Sequence, residues 1–146
     1  MRVSAAVTDS VTRRLPKFLS HKQHAIADCV FAGTFLLTGA LQWRRNKRVA
    51  ISALACGGAQ VANMLLTNYP GERGKALSFP LHGRVDFGIA AMSAVMPEFM
   101  SFTDDPKKKF FLRQSVLITA ITNLTNFNRT RQGRNAFNKR RRTVAA

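Results

Sequence analysis

The sequence predicts an all-α protein: a four-helix transmembrane bundle made of two tandem two-helix repeats in parallel orientation. Displaced by 58 residues, Leu19–Ser20 falls on Leu77–Ser78, and the run 66–69 falls on the run 124–127. A repeat of that length indicates a duplicated structural unit. No charged residue occurs from Val49 to Tyr69, which suits a helix that crosses about 30 Å of hydrocarbon. The turn before this stretch is short, so the first two helices should be antiparallel neighbours.

The four predicted helices occupy residues 21–43, 49–68, 80–102 and 107–127. Ser20 followed by Gln23 matches a capping box at the start of the first helix. Pro80 suits the first turn of the third helix, because its fixed φ angle is already helical. Asp105 before Pro106 predicts the start of the fourth helix, with Asp105 as its cap.

The predicted helices divide the chain into three segments. These are a basic N-terminal tail (1–19), a four-span membrane domain (20–128, with repeat one at 20–70 and repeat two at 78–128) and a basic, disordered C-terminal tail (129–146). With four spans, 15 of the 23 Lys and Arg residues would lie on the side of the two termini. Because basic residues collect on the cytoplasmic side, both termini should be cytoplasmic in a multi-pass protein of the inner (plasma) membrane.

Polar residues recur in both repeats at the end of the bundle that carries the termini. The spacing His-x-x-x-Asp places both side chains on one helix face, and Thr-Asn pairs end the second and fourth helices. We therefore expect two symmetric polar clusters, or one merged cluster on the pseudo-axis. Its members are His24, Asp28, Thr67, Asn68, His82, Asp86, Thr125 and Asn126.

This polar cluster admits more than one interpretation. In the simplest, the residues satisfy one another and lock the hairpins in register, because an unpaired charge in lipid is costly. Alternatively, His24, Asp28, His82 and Asp86 could hold a metal ion between the hairpins. His24 and His82 could also clamp a haem iron. A proton or ion relay through the two Asp residues would instead indicate a small transporter subunit.

The basic C-terminal tail predicts contact with an anionic surface. Arg134, Lys139, Arg140, Arg141 and Arg142 would attract anionic lipid headgroups, at about 1 kcal/mol per charge near the surface. Nucleic acid is an unlikely partner, because Phe137 alone interleaves the cluster as a stacking residue. A soluble, basic, helical nucleic-acid-binding protein is nevertheless an alternative. Besides the bilayer, the expected partner is a second copy of the chain or another membrane protein.

The sequence lacks motifs that indicate a particular enzymatic reaction. It contains no Gly-rich phosphate loop, nucleophile elbow, Cys-x-x-Cys pair or His-Glu-x-x-His helix. We therefore predict a non-enzymatic protein without a cofactor, whose role is structural or partner-binding.

The second repeat resembles the SPW-repeat membrane proteins of bacteria and archaea. The resemblance is carried by Asp86, Gly88 and the run from Met96 to Phe102. That family has paired spanning helices, often duplicated to four, with an Asp near the start of the first helix. The resemblance implies this architecture over about 100 residues, and it implies no activity.

Overall fold

The computed structural model describes residues 16–70 and 74–127 of the chain and is built of four helices in that part. The elements are α1 (His21–Gln42), α2 (Lys47–Leu66), β1 (Thr67–Asn68), β2 (Leu77–Ser78), α3 (Phe79–Phe99) and α4 (Lys108–Leu124). The predicted all-helical class with four helices is confirmed. The basic C-terminal residues Arg134, Lys139, Arg140, Arg141 and Arg142 lie outside the described residues, so their contacts stay predictions.

Side chains at the helix starts account for where three helices begin. Ser20 and Gln23 form the predicted capping box of α1, each accepting the other's backbone N–H. Asn46 accepts from two backbone N–H groups of α2. Ser78 caps α3, whose first turn contains Pro80 as predicted. These caps satisfy N–H groups that have no partner within their own helix.

The predicted cap of the fourth helix is wrong, and its predicted start at residue 107 is one residue early. Helix α4 begins at Lys108, and its N-terminal flanking residue, Lys107, makes no side-chain cap. Asp105 instead accepts from the backbone N–H of Lys107 at 2.7 Å and from Asn46 Nδ2 at 2.8 Å. The carboxylate therefore closes the turn before the helix and ties the α3–α4 loop to the start of α2.

The helices pack as two hairpins, α1 with α2 and α3 with α4, and α2 lies against α3. Close approach within the first hairpin depends on glycine, because a Cβ at Gly39 would lie 2.6 Å from a side-chain atom of Leu54. Small residues permit such approach between helices.

Two short backbone contacts join the hairpins at one end of the bundle. β1 pairs in parallel with β2, Thr67 opposite Leu77, and Leu19 is bridged in parallel to Thr125. These two contacts are equivalent under the 58-residue displacement. At this end α1 and α3 begin and α2 and α4 end. We call it the cluster end, because the polar cluster is predicted here.

The interior of the bundle is unusually polar and its exterior is unusually apolar. Among the described residues, buried polar or charged side chains are as numerous as buried apolar ones, thirteen of each. Seventeen large hydrophobic side chains are exposed, among them Ile26, Leu41, Leu65, Phe99 and Val116. Helices α1 and α2 are long and apolar enough to cross a membrane.

Candidate metal centre

Four side chains, two from each repeat, meet in the interior of the cluster end. His24 and Asp28 from α1 face His82 and Asp86 from α3, and all four are essentially inaccessible to solvent. One nitrogen or oxygen atom from each lies within 4.8 Å of the others. We call this group the His/Asp cluster. Of the two arrangements that the repeat allowed, the structure has the single merged cluster.

The distances within the His/Asp cluster are short and even. His24 Nε2 lies 3.0 Å from Asp86 Oδ2 and 3.4 Å from Asp28 Oδ2. His82 Nε2 lies 2.9 Å from Asp28 Oδ2 and 3.3 Å from Asp86 Oδ2. The two Nε2 atoms are 3.2 Å apart. Each imidazole nitrogen therefore contacts the carboxylate of its own helix and that of the opposite helix.

Two threonines fix the orientation and the tautomer of the histidines. Thr125 Oγ1 donates its hydroxyl proton to the carbonyl oxygen of Ile121, and Thr67 Oγ1 donates to that of Asn63. Each hydroxyl has only one proton, so it must accept from the imidazole Nδ1 that it contacts, at 2.8 Å for His24 and 2.9 Å for His82. Nδ1 therefore carries a proton in both rings. In a neutral imidazole, Nε2 then presents a lone pair to the centre of the cluster.

Two amide side chains from α2 hold the carboxylates. Gln60 Nε2 donates to Asp28 Oδ1 at 3.0 Å and to Asp86 Oδ1 at 3.3 Å. Asn63 Nδ2 donates to Asp86 Oδ1 at 2.8 Å. The Oδ1 atoms are thus occupied by amide protons, while both Oδ2 atoms face the histidines. The arrangement has the form of the outer hydrogen bonds that orient metal ligands.

Aromatic rings cover the His/Asp cluster at the cluster end. The Phe127 ring centre lies 5.3 Å from that of His24, and the Tyr69 ring centre lies 5.8 Å from that of His82. Phe79 lies within about 6 Å of both imidazoles, at 5.9 and 6.0 Å. These rings lie between the ligand atoms and the end of the bundle, and the four ligand side chains are at most 1% exposed.

The structure brings together six of the eight residues predicted for the polar cluster. Asn68 lies outside it, because its amide donates to the carbonyl of Lys75 and accepts from the Lys75 N–H, which holds the α2–α3 connection. Asn126 lies beyond the end of α4, where its backbone N–H donates to the carbonyl of Leu19 at 3.3 Å. Both asparagines therefore bond to neighbouring backbone at the cluster end, just after α2 and α4 end.

Sequence reasoning missed Gln60 and Asn63. Their counterparts 58 residues on are Ile118 and Ile121, so a search for duplicated polar residues passes over them. A different signal was present: Gln60, Asn63 and Thr67 are spaced on one face of an otherwise apolar helix. Polar residues on one face of a spanning helix usually face the bundle interior.

The geometry does not suit the haem alternative. Two histidines on opposite sides of a haem iron would have Nε2 atoms about 4 Å apart, given metal–nitrogen bonds of about 2.0–2.1 Å, with the macrocycle between them. Here the Nε2 atoms are 3.2 Å apart, and a carboxylate oxygen from each Asp contacts both of them. The space between the rings is too small for a porphyrin.

Comparison with known families, curated proteins and solved structures finds no match for this chain. The SPW-repeat resemblance therefore stays a prediction. So do the transport and nucleic-acid alternatives, which the described residues do not test.

Proposed function

We propose that this protein is a small integral membrane protein that binds one divalent transition-metal ion between its two halves. His24, Asp28, His82 and Asp86 would be the ligands, through two Nε2 and two Oδ2 atoms. The observation that carries the proposal is that these four acceptor atoms converge on one point, while hydrogen bonds from Thr67, Thr125 and the α2 amides occupy the other polar atoms of the same side chains.

The charge of the cluster favours a divalent cation. Two ionised carboxylates and two neutral imidazoles carry a charge of −2 in a site that is inaccessible to solvent. An uncompensated charge is costly in such surroundings, and a divalent ion neutralises it. Two protons, one on each Nε2, would also balance the charge and would leave a hydrogen-bonded cluster of purely structural role.

The spacing of the ligand atoms favours the metal over two protons. A tetrahedral ion with bonds of about 2.0–2.1 Å holds its ligands roughly 3.3–3.4 Å apart. Five of the six distances among these four atoms run from 2.9 to 3.4 Å, and all four atoms lie within 4.8 Å of one another. In the doubly protonated form, two N–H groups would face each other across the 3.2 Å between the Nε2 atoms.

We infer that the site is structural and non-catalytic. Catalytic zinc sites keep one coordination position open for water or substrate, whereas structural sites take four protein ligands. The cluster supplies four protein ligands beneath an aromatic cover. Because these ligands come in equal parts from α1 and α3, the ion would hold the two hairpins together.

The surface of the bundle supports a position inside the membrane. Helices α1 and α2 qualify as spans by length and composition. In α3, two of the polar residues that lower its apolar character are His82 and Asp86, which are buried, and no charged residue occurs from Phe87 to Pro97. Helix α4 has 17 residues and a length of about 25 Å, which a locally thinned bilayer accommodates.

In this membrane position, the distribution of basic residues supports a cytoplasmic location for the cluster end. Both basic tails would then lie against anionic lipid headgroups. The proposed ion would sit one to two helical turns below that surface.

Metal content tests the proposal directly. The full-length protein is produced in zinc-supplemented cells, purified in detergent, passed over a chelating resin and analysed for metals. We expect about one divalent transition-metal ion per chain in the wild type and in His21→Ala, and almost none in His24→Ala. His21→Ala is a matched control, since it removes an imidazole from the same helix outside the cluster. A metal-free wild type, or equal metal in both variants, would overturn the proposal.

Membrane insertion is tested separately, on isolated membranes. Sodium carbonate strips peripheral proteins and leaves spanning proteins in the pellet. We expect the protein to stay with the pellet, whether or not the metal ligands are intact. Release into the supernatant would contradict the membrane position without touching the metal assignment.

A further inference from the structure

The hydrogen bonds of Gln60 and Asn63 decide how many bonds the cluster can offer an ion. Gln60 donates to the Oδ1 atoms of both Asp28 and Asp86, and Asn63 adds a second donor to Asp86 Oδ1. A carboxylate can bind a metal through one oxygen or through both. With both Oδ1 atoms held by amide protons, each Asp is limited to one bond.

From this we infer that Gln60 and Asn63 are specificity-determining residues, which restrict the site to four-coordinate ions of the zinc class. The inference rests on the proposed metal-binding function and names the ion that the site selects. Two imidazole nitrogens and two single carboxylate oxygens form an N2O2 set that suits tetrahedral Zn²⁺. If both carboxylates were free to bind through two oxygens, the same four residues would form an N2O4 set. Six-coordinate, oxygen-rich sites suit Mn²⁺ and Mg²⁺.

The position of the amides supports a role in selection. Both lie on α2, which supplies no ligand, and both are buried, with Gln60 fully inaccessible and Asn63 at 2% exposure. Gln60 reaches one carboxylate from each repeat. The amides therefore act on the ligands from outside, as positioning residues that an ion does not touch.

Cobalt and manganese distinguish this role from a merely structural one. Four-coordinate Co²⁺ absorbs strongly in the visible range and six-coordinate Co²⁺ weakly, so the spectrum reports coordination number. Mn²⁺ prefers six ligands, so its affinity reports whether extra carboxylate oxygens have become available. We expect wild-type protein loaded with Co²⁺ to show the strong four-coordinate bands.

The decisive comparison is between Gln60→Leu and Gln114→Leu. Gln114 is also a buried glutamine of the bundle, but it donates to Thr34 Oγ1, away from the cluster. In Gln60→Leu we expect the Co²⁺ bands to weaken and Zn²⁺ affinity to fall by about 10–100-fold, the usual cost of losing an outer hydrogen bond. Mn²⁺ affinity should not fall, so the Zn²⁺/Mn²⁺ ratio falls with the Zn²⁺ affinity. Gln114→Leu should leave the bands and the ratio unchanged.

Other outcomes separate this inference from the proposed function. Equal losses of Zn²⁺ and Mn²⁺ affinity in Gln60→Leu, or a six-coordinate wild-type spectrum, would overturn the inference and leave metal binding standing. Failure of the wild type to bind Co²⁺ or Zn²⁺ more tightly than His24→Ala would overturn both. If Gln60→Leu does not yield folded protein, Asn63→Leu tests the same point. That variant frees part of Asp86 alone and should shift the ratio in the same direction by a smaller factor.

Discussion

The two repeats contribute equally to the ligands of the His/Asp cluster and unequally to everything around it. Each supplies one His, one Asp and one Thr, and each Thr orients the imidazole of the other repeat. Only repeat one supplies amides, at Gln60 and Asn63, where repeat two has Ile118 and Ile121. A single ion on the pseudo-axis needs both halves for its ligands, but one set of amides can reach both carboxylates. The four proposed ligands and the two threonines are therefore duplicated, whereas the two amides that hold the carboxylates are not.

At the other end of the bundle, equivalent buried positions carry different residues in the two repeats. Phe35 of α1 corresponds to Ser93 of α3, and Phe111 of α4 corresponds to Ala53 of α2. All four are fully buried. Phe35 and Phe111 lie 6.0 Å apart between ring centres, and each repeat pairs one large residue with one small residue. Here each Phe packs where the other repeat has a small residue, so shape complementarity helps to join the halves.

The largest effect is expected from the loss of one histidine, which tests whether both repeats contribute equally to metal binding. His24→Ala and His82→Ala should each abolish metal binding, because three ligands remain and a buried carboxylate loses its partner. The double variant should be no worse than either single one, since the site is already lost. Metal per chain by elemental analysis checks this. Substantial metal retained in one single variant would show that the halves are not equivalent.

At the opposite end, loss of one ring should affect stability and leave the metal in place. Phe35→Ala and Phe111→Ala each leave a cavity in a closely packed core, at a cost of about 3–5 kcal/mol. Unfolding in mixed detergent micelles measures the change in the free energy of unfolding. The zinc content of the folded fraction should remain near one ion per chain. Concurrent loss of metal from the folded fraction would show that the two ends are coupled.

Removing either threonine hydroxyl should have an intermediate effect on metal binding. Thr67→Val and Thr125→Val each remove the hydroxyl that accepts from an imidazole Nδ1 and leave a side chain of similar shape. We expect either change to lower Zn²⁺ affinity by about 10–100-fold, and to a similar extent in both repeats. Competition with a coloured chelator measures the affinity. Thr34→Val is the control, because Thr34 is bonded to Gln114, away from the cluster.

The smallest expected effect concerns the aromatic cover. Gly83 corresponds to Ala25 of repeat one, and a Cβ at Gly83 would lie 2.6 Å from the ring of Phe127. Gly83→Ala should therefore destabilise the protein by about 1–3 kcal/mol through overpacking. Gly88→Ala has nothing within 4 Å of the added atom and should be stabilising by about 0.5–1 kcal/mol. Thermal unfolding of both variants checks the difference, and equal effects would contradict the assigned contact.

Much of the fold could be predicted from the sequence because the repeat constrains it. The 58-residue displacement places His24 with His82 and Asp28 with Asp86, and the short connections require adjacent helices to be antiparallel. Local signals such as Ser20 with Gln23 located helix starts correctly. The signal at Asp105 failed because a carboxylate can also close a turn across a loop, and its partner Asn46 lies 59 residues away in sequence.

The candidate site was only partly predictable. Matching repeats select residues that occur twice, so they select the ligands and miss Gln60 and Asn63. The same search included Asn68 and Asn126, which recur because each follows the second helix of its repeat. Whether the two polar groups merge depends on how the hairpins dock, and that is a property of tertiary packing that no local pattern contains.

The most direct test of the account is X-ray absorption at the zinc edge of full-length, zinc-loaded protein. Two imidazoles and two singly bound carboxylates should give a first shell of four nitrogen or oxygen atoms at about 2.0–2.1 Å, with the outer scattering of two histidines. A shell of six oxygen-like atoms without histidine scattering, or a protein that retains no zinc, would contradict it.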